Sequence, residues 1–391
     1  MKEISEQLDI LKRGCGEIIE EKELAEKLKE KRPLIIKFGA DPSAPDIHLG
    51  HVVLLDKLRQ FGELGHKIIF IIGDFTARIG DPSGRLRTRP VLSKEEIDKN
   101  SATYQKQVFK ILDRKYTSVV YNSGWLEKMK LPDVFALLAQ YTVARMLERR
   151  DFRERFEKNL DIPIQDFMYP LLQGFDSVHL HADVEVGGTD QKFNLLMGRT
   201  VQQRSGQKPQ VVMTLPLLKG LDGERKMSKS YGNYIGVGEE PHEMYGKVMS
   251  ASDELMYEWS AILSFADKEK IRELPPRRAK ALLAREIVEF LHSKRDAEKA
   301  AERFEKEVVK KEEPEDIREF PVSGDKISVV DLAVLAKACS SKTRAKQLIL
   351  QGGISVSGGV IKDVKAIVEI KDGMILKVGR RTFVKIRKKR G

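Results

Sequence analysis

The sequence predicts an α/β fold on a parallel sheet, followed by a helical segment and a small α+β module. Two nearly continuous apolar runs, residues 34–38 and 67–74, enclose one helix with apolar residues at Val52, Leu55, Leu58 and Phe61. Strand, helix and strand in that order bring the chain back parallel to itself. Residues 239–312 then keep helical spacing, broken only at Pro275 and Pro276. The third observation is charge. Residues 326–391 hold 16 Lys and Arg against 4 Asp and Glu, a local +12, while the rest of the chain stands at −1. A basic module with its own apolar periodicity beside a neutral body is the footprint of a polyanion contact.

The remaining elements follow in order. A chain of 391 residues, 41% hydrophobic, has room for two or three domains with a sizeable core. Residues 1–31 read as helix, with Leu and Ile at helical spacing among Glu and Lys, and Pro33 ends the run. The strand at 34–38 leads into 39–46, a loop by its Gly, Pro and Asp content. The helix that opens at Ile47 closes at Gly65 and His66. After the second strand, 79–84 is a turn followed by Arg85, Arg87 and Arg89, suited to polyphosphate, to an RNA terminus or simply to solvent. Residues 94–114 and 132–150 read as helices, with a strand at 118–121 between them. Residues 169–176 read as helix. Residues 179–186 alternate like a strand, which would set His179 and His181 on one face, and run into Gly187-Gly188 and another helix. Residues 210–213 form a further strand before a turn-forming approach to Lys226. Residues 312–316 and 321–325 read as linkers. In the basic module, 331–336 and 341–349 are helices, the second capped by Ser341 and ended by Gly352-Gly353. Short strands follow at 354–357, 366–368, 375–378 and 383–386.

Cys15 and Cys339 lie far apart and match no metal or disulfide spacing, which points to a reducing compartment. The first residues carry no apolar signal region, and no stretch of about twenty apolar residues occurs. The expectation is a soluble cytoplasmic protein with no membrane contact.

Several groups carry chemistry. His48 and His51 fall at i, i+3 on one face of a helix start, with Gly50 leaving room for a flat ring. A helix N-terminus favours anionic oxygen. A zinc pair would need further ligands at suitable spacing, and no Glu or Cys partner stands nearby, so no metal site is expected. Lys226-Met227-Ser228-Lys229-Ser230 sits in a loop between turn-forming residues and Gly232. It brings two ammonium groups near one point, and compact charges on flexible stems suit phosphate oxygens that move during a reaction. Tyr169, Gln173 and Asp176 recur at i, i+4, i+7. A stripe of hydroxyl, amide and carboxylate there suggests the wall of a polar pocket. Gly187 and Gly188 permit close backbone approach to a nucleotide, and Asp190 can accept from ribose hydroxyls. Lys342, Arg344 and Lys346 gather near one helix start.

The pairing of His48-Leu49-Gly50-His51 with Lys226-Met227-Ser228-Lys229-Ser230 resembles the two signatures of class I aminoacyl-tRNA synthetases. The first departs from its commonest form only by Leu49 in place of isoleucine. The Tyr169, Gln173, Asp176 stripe is similar to the tyrosine-binding segment of bacterial tyrosyl-tRNA synthetases. Residues 326–391 resemble a small RNA-binding module shared by a small-subunit ribosomal protein and pseudouridine synthases. The resemblance implies a Rossmann-like catalytic domain at 1–238 with an N-terminal helical segment, an α-helical tRNA-contacting domain at 239–320 and the RNA-binding domain at 326–391. It implies activation of L-tyrosine by ATP and transfer to the 3′ end of tRNA(Tyr), with Mg²⁺ accompanying ATP and a homodimer as the assembly.

The implied catalytic residues are His48, His51, Lys226 and Lys229. ATP would lie against Gly39, Asp41, Gly50, Gly188, Asp190, Met227, Ser228 and Lys229. Asp176 would accept the substrate phenol, Tyr169, Gln173 and Asp81 would lie near its amino group, and Gln191 beside the amino acid. Lys342, Arg344 and Lys346 would meet RNA. One departure stands out: Lys37-Phe38 occupies the place where bacterial relatives often carry Tyr-Cys, as in the long-form subgroup, which makes Lys37 a further candidate substrate contact. A tryptophanyl enzyme shares the fold, but Asp176 suits a phenol. An RNA-binding protein with an inactive nucleotide fold is the non-enzyme alternative, against which the intact histidines and lysines argue.

Overall fold

The apolar runs are the central strands of one six-stranded sheet. In this computed structural model the described residues are 2–42, 47–83, 93–309, 317–379 and 382–388. Arg85, Arg87, Arg89 and the linker expected at 312–316 lie outside them. The chain divides into two compact units, residues 1–300 and 301–391.

The sheet of the first unit comprises β1 (Glu17–Ile19), β2 (Ile35–Ala40), β3 (Lys67–Ile72), β4 (Thr117–Tyr121), β5 (Val184–Gly188) and β6 (Val211–Leu215). Their order across the sheet is β1-β6-β5-β2-β3-β4. All neighbours run parallel except β1, which pairs antiparallel with β6. Helices cover both faces of such a sheet, so its strands need no alternation. Ile68, Phe70, Ile71 and Ile72 of β3 and every residue of β5 and β6 are buried accordingly. From β2 the chain builds outward to β3 and β4, then returns to lay β5 on the other side of β2. The carboxyl ends of β2 and β5 therefore form the topological switch point, where ligands of such sheets bind.

Four expectations for the first unit are corrected. Residues 1–31 are two helices, Ile4–Lys12 and Glu21–Lys29, separated by β1. Gly14, at φ +73°, stops the first helix, and the Gly16 N–H joins the sheet through the Thr214 carbonyl. The helix expected over 94–114 ends at Val108. The region 132–150 is three short helices, Leu131–Leu138, Val143–Met146 and Arg150–Glu157, the second opened by Thr142 accepting from the Arg145 N–H. His179 belongs to a helix, Ile164–Leu180, which His181 closes in the left-handed conformation, so the strand begins only at Val184. A short run of alternating residues carries too little periodicity to separate the two.

His66 lies beyond the helix Leu49–Glu63 and is 1% exposed. Its Nδ1 accepts from the Leu34 N–H at 3.2 Å, and its Nε2 lies 3.3 Å from Gln7 Oε1. It ties the N-terminal helix to the start of β2. Residues 241–304 form five successive helices, as their helical spacing predicts.

The second unit holds β7 (Arg318–Val322), β8 (Lys326–Ser328), β9 (Ile354–Val356), β10 (Gly359–Val360), β11 (Ile367–Glu369), β12 (Ile375–Val378) and β13 (Thr382–Lys388). One sheet has the order β10-β9-β12-β13-β7, and β8 pairs with β11. The helices Val329–Leu335 and Lys342–Leu350 bury Leu332, Ala333, Ala345 and Ile349 against Leu376, Val384 and Ile386. Pro321 and Val322, expected in a linker, are in β7, parallel to β13.

Candidate active site

The switch point opens into a cleft of about 500 Å³. At the end of β2 the chain enters the loop that leads to the helix Leu49–Glu63, with His48 extended at its N-cap. The His48 N–H donates to His51 Nδ1 at 3.3 Å, and the two ring centroids are 3.9 Å apart. A Cβ on Gly50 would lie 3.1 Å from the His48 ring, so glycine is what lets that ring lie against the first turn. Burial, reinforced by His51 and then Lys226, holds the His48 ring down to about 2, while burial together with Lys226 holds His51 down to about 4. Both imidazoles are neutral near pH 7. Because His51 Nδ1 accepts, the proton of the neutral ring is on Nε2.

The backbone then couples this element to the lysine loop. The Leu49 N–H donates to the Ile235 carbonyl at 2.8 Å, and the Val237 N–H to the Ile47 carbonyl at 2.9 Å. In the loop itself, the Met227 N–H bonds the Leu218 carbonyl and the Ser228 N–H bonds Asn233 Oδ1, both at 2.8 Å. Asn233 also donates to Asp222 Oδ2 at 2.9 Å, closing the turn. Met227 is buried. Lys226 is half exposed and reaches across to Asp190 Oδ2 at 2.7 Å. Lysine loop, glycine-rich strand end and histidine element thus share one cleft.

The polar stripe forms its other end. Tyr169 Oη–H donates to Asp41 Oδ2 at 3.0 Å, and Asp41 Oδ1 accepts from Thr76 Oγ1 at 2.7 Å. Burial and then Asp41 raise the Tyr169 phenol well above its ordinary value, so it remains a donor. Gln191 Nε2 donates to Asp81 Oδ2 at 2.8 Å. Asp176 is 4% exposed and accepts from the Trp125 indole N–H at 2.8 Å and from Asn122 Nδ2 at 3.4 Å. Burial pushes its carboxyl up to about 6, against the pull of Lys37 and of these two hydrogen bonds. Each of its oxygens thus accepts one hydrogen bond, and the carboxyl is an acceptor in the cleft wall.

Sixteen candidate residues line this one cleft: Gly39, Asp41, His48, Gly50, His51, Asp81, Tyr169, Gln173, Asp176, Gly188, Asp190, Gln191, Lys226, Met227, Ser228 and Lys229. Lys37 is not among them. It is fully buried, with Nζ donating to the Gln173 carbonyl and Ser177 Oγ, both at 2.7 Å, and paired with Glu185 Oε1 at 2.9 Å. Lys342, Arg344 and Lys346 belong to the second unit, exposed at the start of the helix that Ser341 caps by accepting from the Arg344 N–H. Sequence reasoning missed Thr76, Asn122, Trp125, Glu185 and Asn233. Asn122 and Trp125 follow β4 at the ligand edge, and Glu185 interrupts an apolar strand; those positions were the available signals.

Comparison with known proteins agrees with this geometry. The family profile for tRNA synthetases class I (W and Y) matches residues 29–308, and that for the S4 domain matches residues 330–373. A tyrosine–tRNA ligase of Aquifex aeolicus is 52% identical over 385 residues, covering 97% of this chain and 98% of that protein. One from Thermotoga maritima is 50% identical over 390 residues, covering 97% of each. Among solved structures, the tyrosyl-tRNA synthetase of Archaeoglobus fulgidus complexed with L-tyrosine superposes with a TM-score of 0.62 at 25% identity, over 76% of this chain and all of that one. With a profile spanning most of its length and relatives half identical from end to end, the chain belongs to the class I tRNA synthetases of the tryptophan and tyrosine type.

Proposed function

We propose that this cleft activates L-tyrosine with ATP, releasing pyrophosphate, and then transfers the tyrosyl group to the 3′ end of tRNA(Tyr). The observation that carries the reading is the meeting, in one cleft, of a neutral histidine pair, a lysine loop and a buried carboxylate acceptor. An oxygen of the tyrosine carboxylate attacks the α-phosphorus, and the bond to the β-phosphate breaks, with pyrophosphate leaving on its electron pair. A ribose hydroxyl of the tRNA terminus then attacks the tyrosyl carbonyl, and AMP leaves. No enzyme nucleophile is needed; catalysis is positioning and charge stabilisation.

Asp176 accepts the phenol O–H, while Tyr169, Gln173 and Asp81 receive the amino group and Gln191 lies beside the amino acid. Gly39, Asp41, Gly50 and Gly188 give the nucleotide close approach. His48 and His51 hydrogen-bond the phosphates as neutral rings. Lys226 exchanges Asp190 for phosphate as Asp190 takes the ribose, and Lys229 joins it on the leaving pyrophosphate, with Met227 and Ser228 shaping the loop. Mg²⁺ accompanies ATP mainly on phosphate oxygens. The fit is physical: Asp41, Asp176 and Asp190 already serve Tyr169, Trp125 and Lys226.

The same reading makes residues 1–238 the catalytic domain and 239–320 the helical tRNA-contacting domain, except that its last residues, from Arg318, belong to β7 of the second unit's sheet. Residues 326–391 are the RNA-binding domain, with Lys342, Arg344 and Lys346 on RNA phosphate. A homodimer is supported by Leu131, Phe135, Val143, Phe156, Leu160 and Ile164, exposed apolar side chains on the segment between β4 and β5. Among the described residues no helix is long and apolar enough to cross a membrane; the proposed place of action is the cytoplasm, where tRNA is charged. The test is charging of purified tRNA with labelled tyrosine: acid-stable label on tRNA(Tyr) is the expected result, and none with tyrosine would overturn the reading.

A further inference from the structure

Two ions sit side by side on central strands, β2 and β5, that are otherwise apolar. Lys37 on β2 and Glu185 on β5 are register partners across the switch point, 0% and 1% exposed, with Nζ 2.9 Å from Oε1. Taking both charges out of water is costly, and a well-packed apolar pair of similar volume often serves stability as well or better. Stability alone therefore does not account for them. Their other contacts lead to the pocket. Lys37 Nζ donates to the Gln173 carbonyl and to Ser177 Oγ, which bracket Asp176 on the helix Ile164–Leu180. Glu185 Oε1 accepts from the Gln173 side-chain amide at 3.1 Å, and Oε2 accepts from Ser177 Oγ at 3.3 Å and from Gln210 Nε2. All three ammonium protons and both carboxylate oxygens are thus engaged.

We infer that Lys37 and Glu185 are a specificity-determining positioning pair: they fix the turn of helix that carries Gln173 and Asp176, and they set the charge that Asp176 presents to the substrate. The inference rests on the tyrosine reading given above. The groups facing Asp176 are Lys37 from β2, Glu185 from β5, Tyr169 from its own helix, and the uncharged donors Asn122 and Trp125 from the segment after β4. Lys37 favours the ionised carboxyl, while burial and Glu185 oppose it. Without the ammonium, Asp176 takes up a proton near neutral pH and becomes a donor where a phenol needs an acceptor. Glu185 in turn holds the ammonium under the helix rather than in the cleft.

The experiment is tyrosine- and phenylalanine-dependent ATP–pyrophosphate exchange between pH 5.5 and 8.5. It uses the full-length wild type, Lys37→Met, Glu185→Gln and the double variant, with the KM for ATP as control. In the wild type, kcat/KM for tyrosine falls below about pH 6. In Lys37→Met that acid limb moves up by about one pH unit or more. The loss at pH 7 appears in the KM for tyrosine, the tyrosine-to-phenylalanine ratio drops, and the KM for ATP stays put. Glu185→Gln moves the limb down, and the double variant lies between the two single ones. A purely structural role would lower the melting temperature and kcat while leaving the limb in place, and that result overturns the inference. If Lys37→Met does not fold, Glu185→Gln decides: an unmoved limb overturns the proposal. A wild type with no tyrosine-dependent exchange removes the functional reading itself, a different failure from an unmoved limb.

Discussion

If Asp176 reads the phenol as proposed, two demands oppose each other there. Recognition of a phenol needs an ionised acceptor, and burial of the carboxyl resists ionisation. Trp125, Asn122 and Lys37 tip the balance. A substrate lacking the hydroxyl would leave that carboxylate buried without its partner, which costs more than a missing weak contact. Asp176→Ala is therefore expected to lower kcat/KM for tyrosine roughly 10- to 100-fold more than that for phenylalanine. An unchanged ratio in exchange assays would mean that the phenol is read elsewhere. In the proposed reaction the lysines act at a different stage. Contacts that tighten only as pyrophosphate leaves change rate rather than affinity. Lys226→Ala or Lys229→Ala should slow adenylate formation roughly 10²- to 10³-fold in single-turnover measurements, with tyrosine affinity nearly untouched. A matching loss of tyrosine affinity would argue against this role. Residue types with one chemical use, such as paired histidines, were legible in the sequence. Trp125 was not: its indole N–H matters only because β4 delivers it to Asp176, and that proximity exists in the fold alone.

At the scale of elements, the strongest signals were the long ones. β2, β3 and the helix between them were legible because a buried parallel strand is apolar throughout. β1, with three residues, and β10, with two, carry too little pattern to be read from sequence. Glu185 hid inside a run that otherwise looks like core, and Lys37, noticed only through the resemblance, is buried beneath the cleft rather than lining it. The helix start at His48 supplies a prediction with two readouts. Gly50→Ala improves local helix propensity, yet its Cβ would lie 3.1 Å from the His48 ring and displace it. Activity should drop about tenfold while the melting temperature holds or rises; a full loss of folding would show that the glycine serves the backbone instead. His66 predicts how stability follows pH. Its Nδ1 accepts from a backbone N–H, and burial holds the ring down to about 4. Between pH 6.5 and 4 the unfolded chain binds a proton that the folded chain refuses. Stability therefore falls with falling pH in that window, by about 1.4 kcal/mol per unit from this residue. Denaturant titrations at pH 7.5, 6 and 5 should show the decline, and His66→Gln should remove its share.

For the whole molecule, charge and chemistry are divided between the two units. The first holds the cleft, and the second carries the +12 of residues 326–391 on a small fold with its own core. A chain ending at Val309 should keep tyrosine-dependent exchange and lose most tRNA charging. The full chain's affinity for tRNA should weaken as salt rises, through counterion release; salt-independent binding would contradict a phosphate-contacting module. The most direct test of the central claim is ATP–pyrophosphate exchange measured with each of the twenty amino acids in turn. Tyrosine should drive exchange far more strongly than any other amino acid, with phenylalanine a weak but measurable second and tryptophan at background. Exchange driven by tryptophan, or by no amino acid at all, would contradict the account.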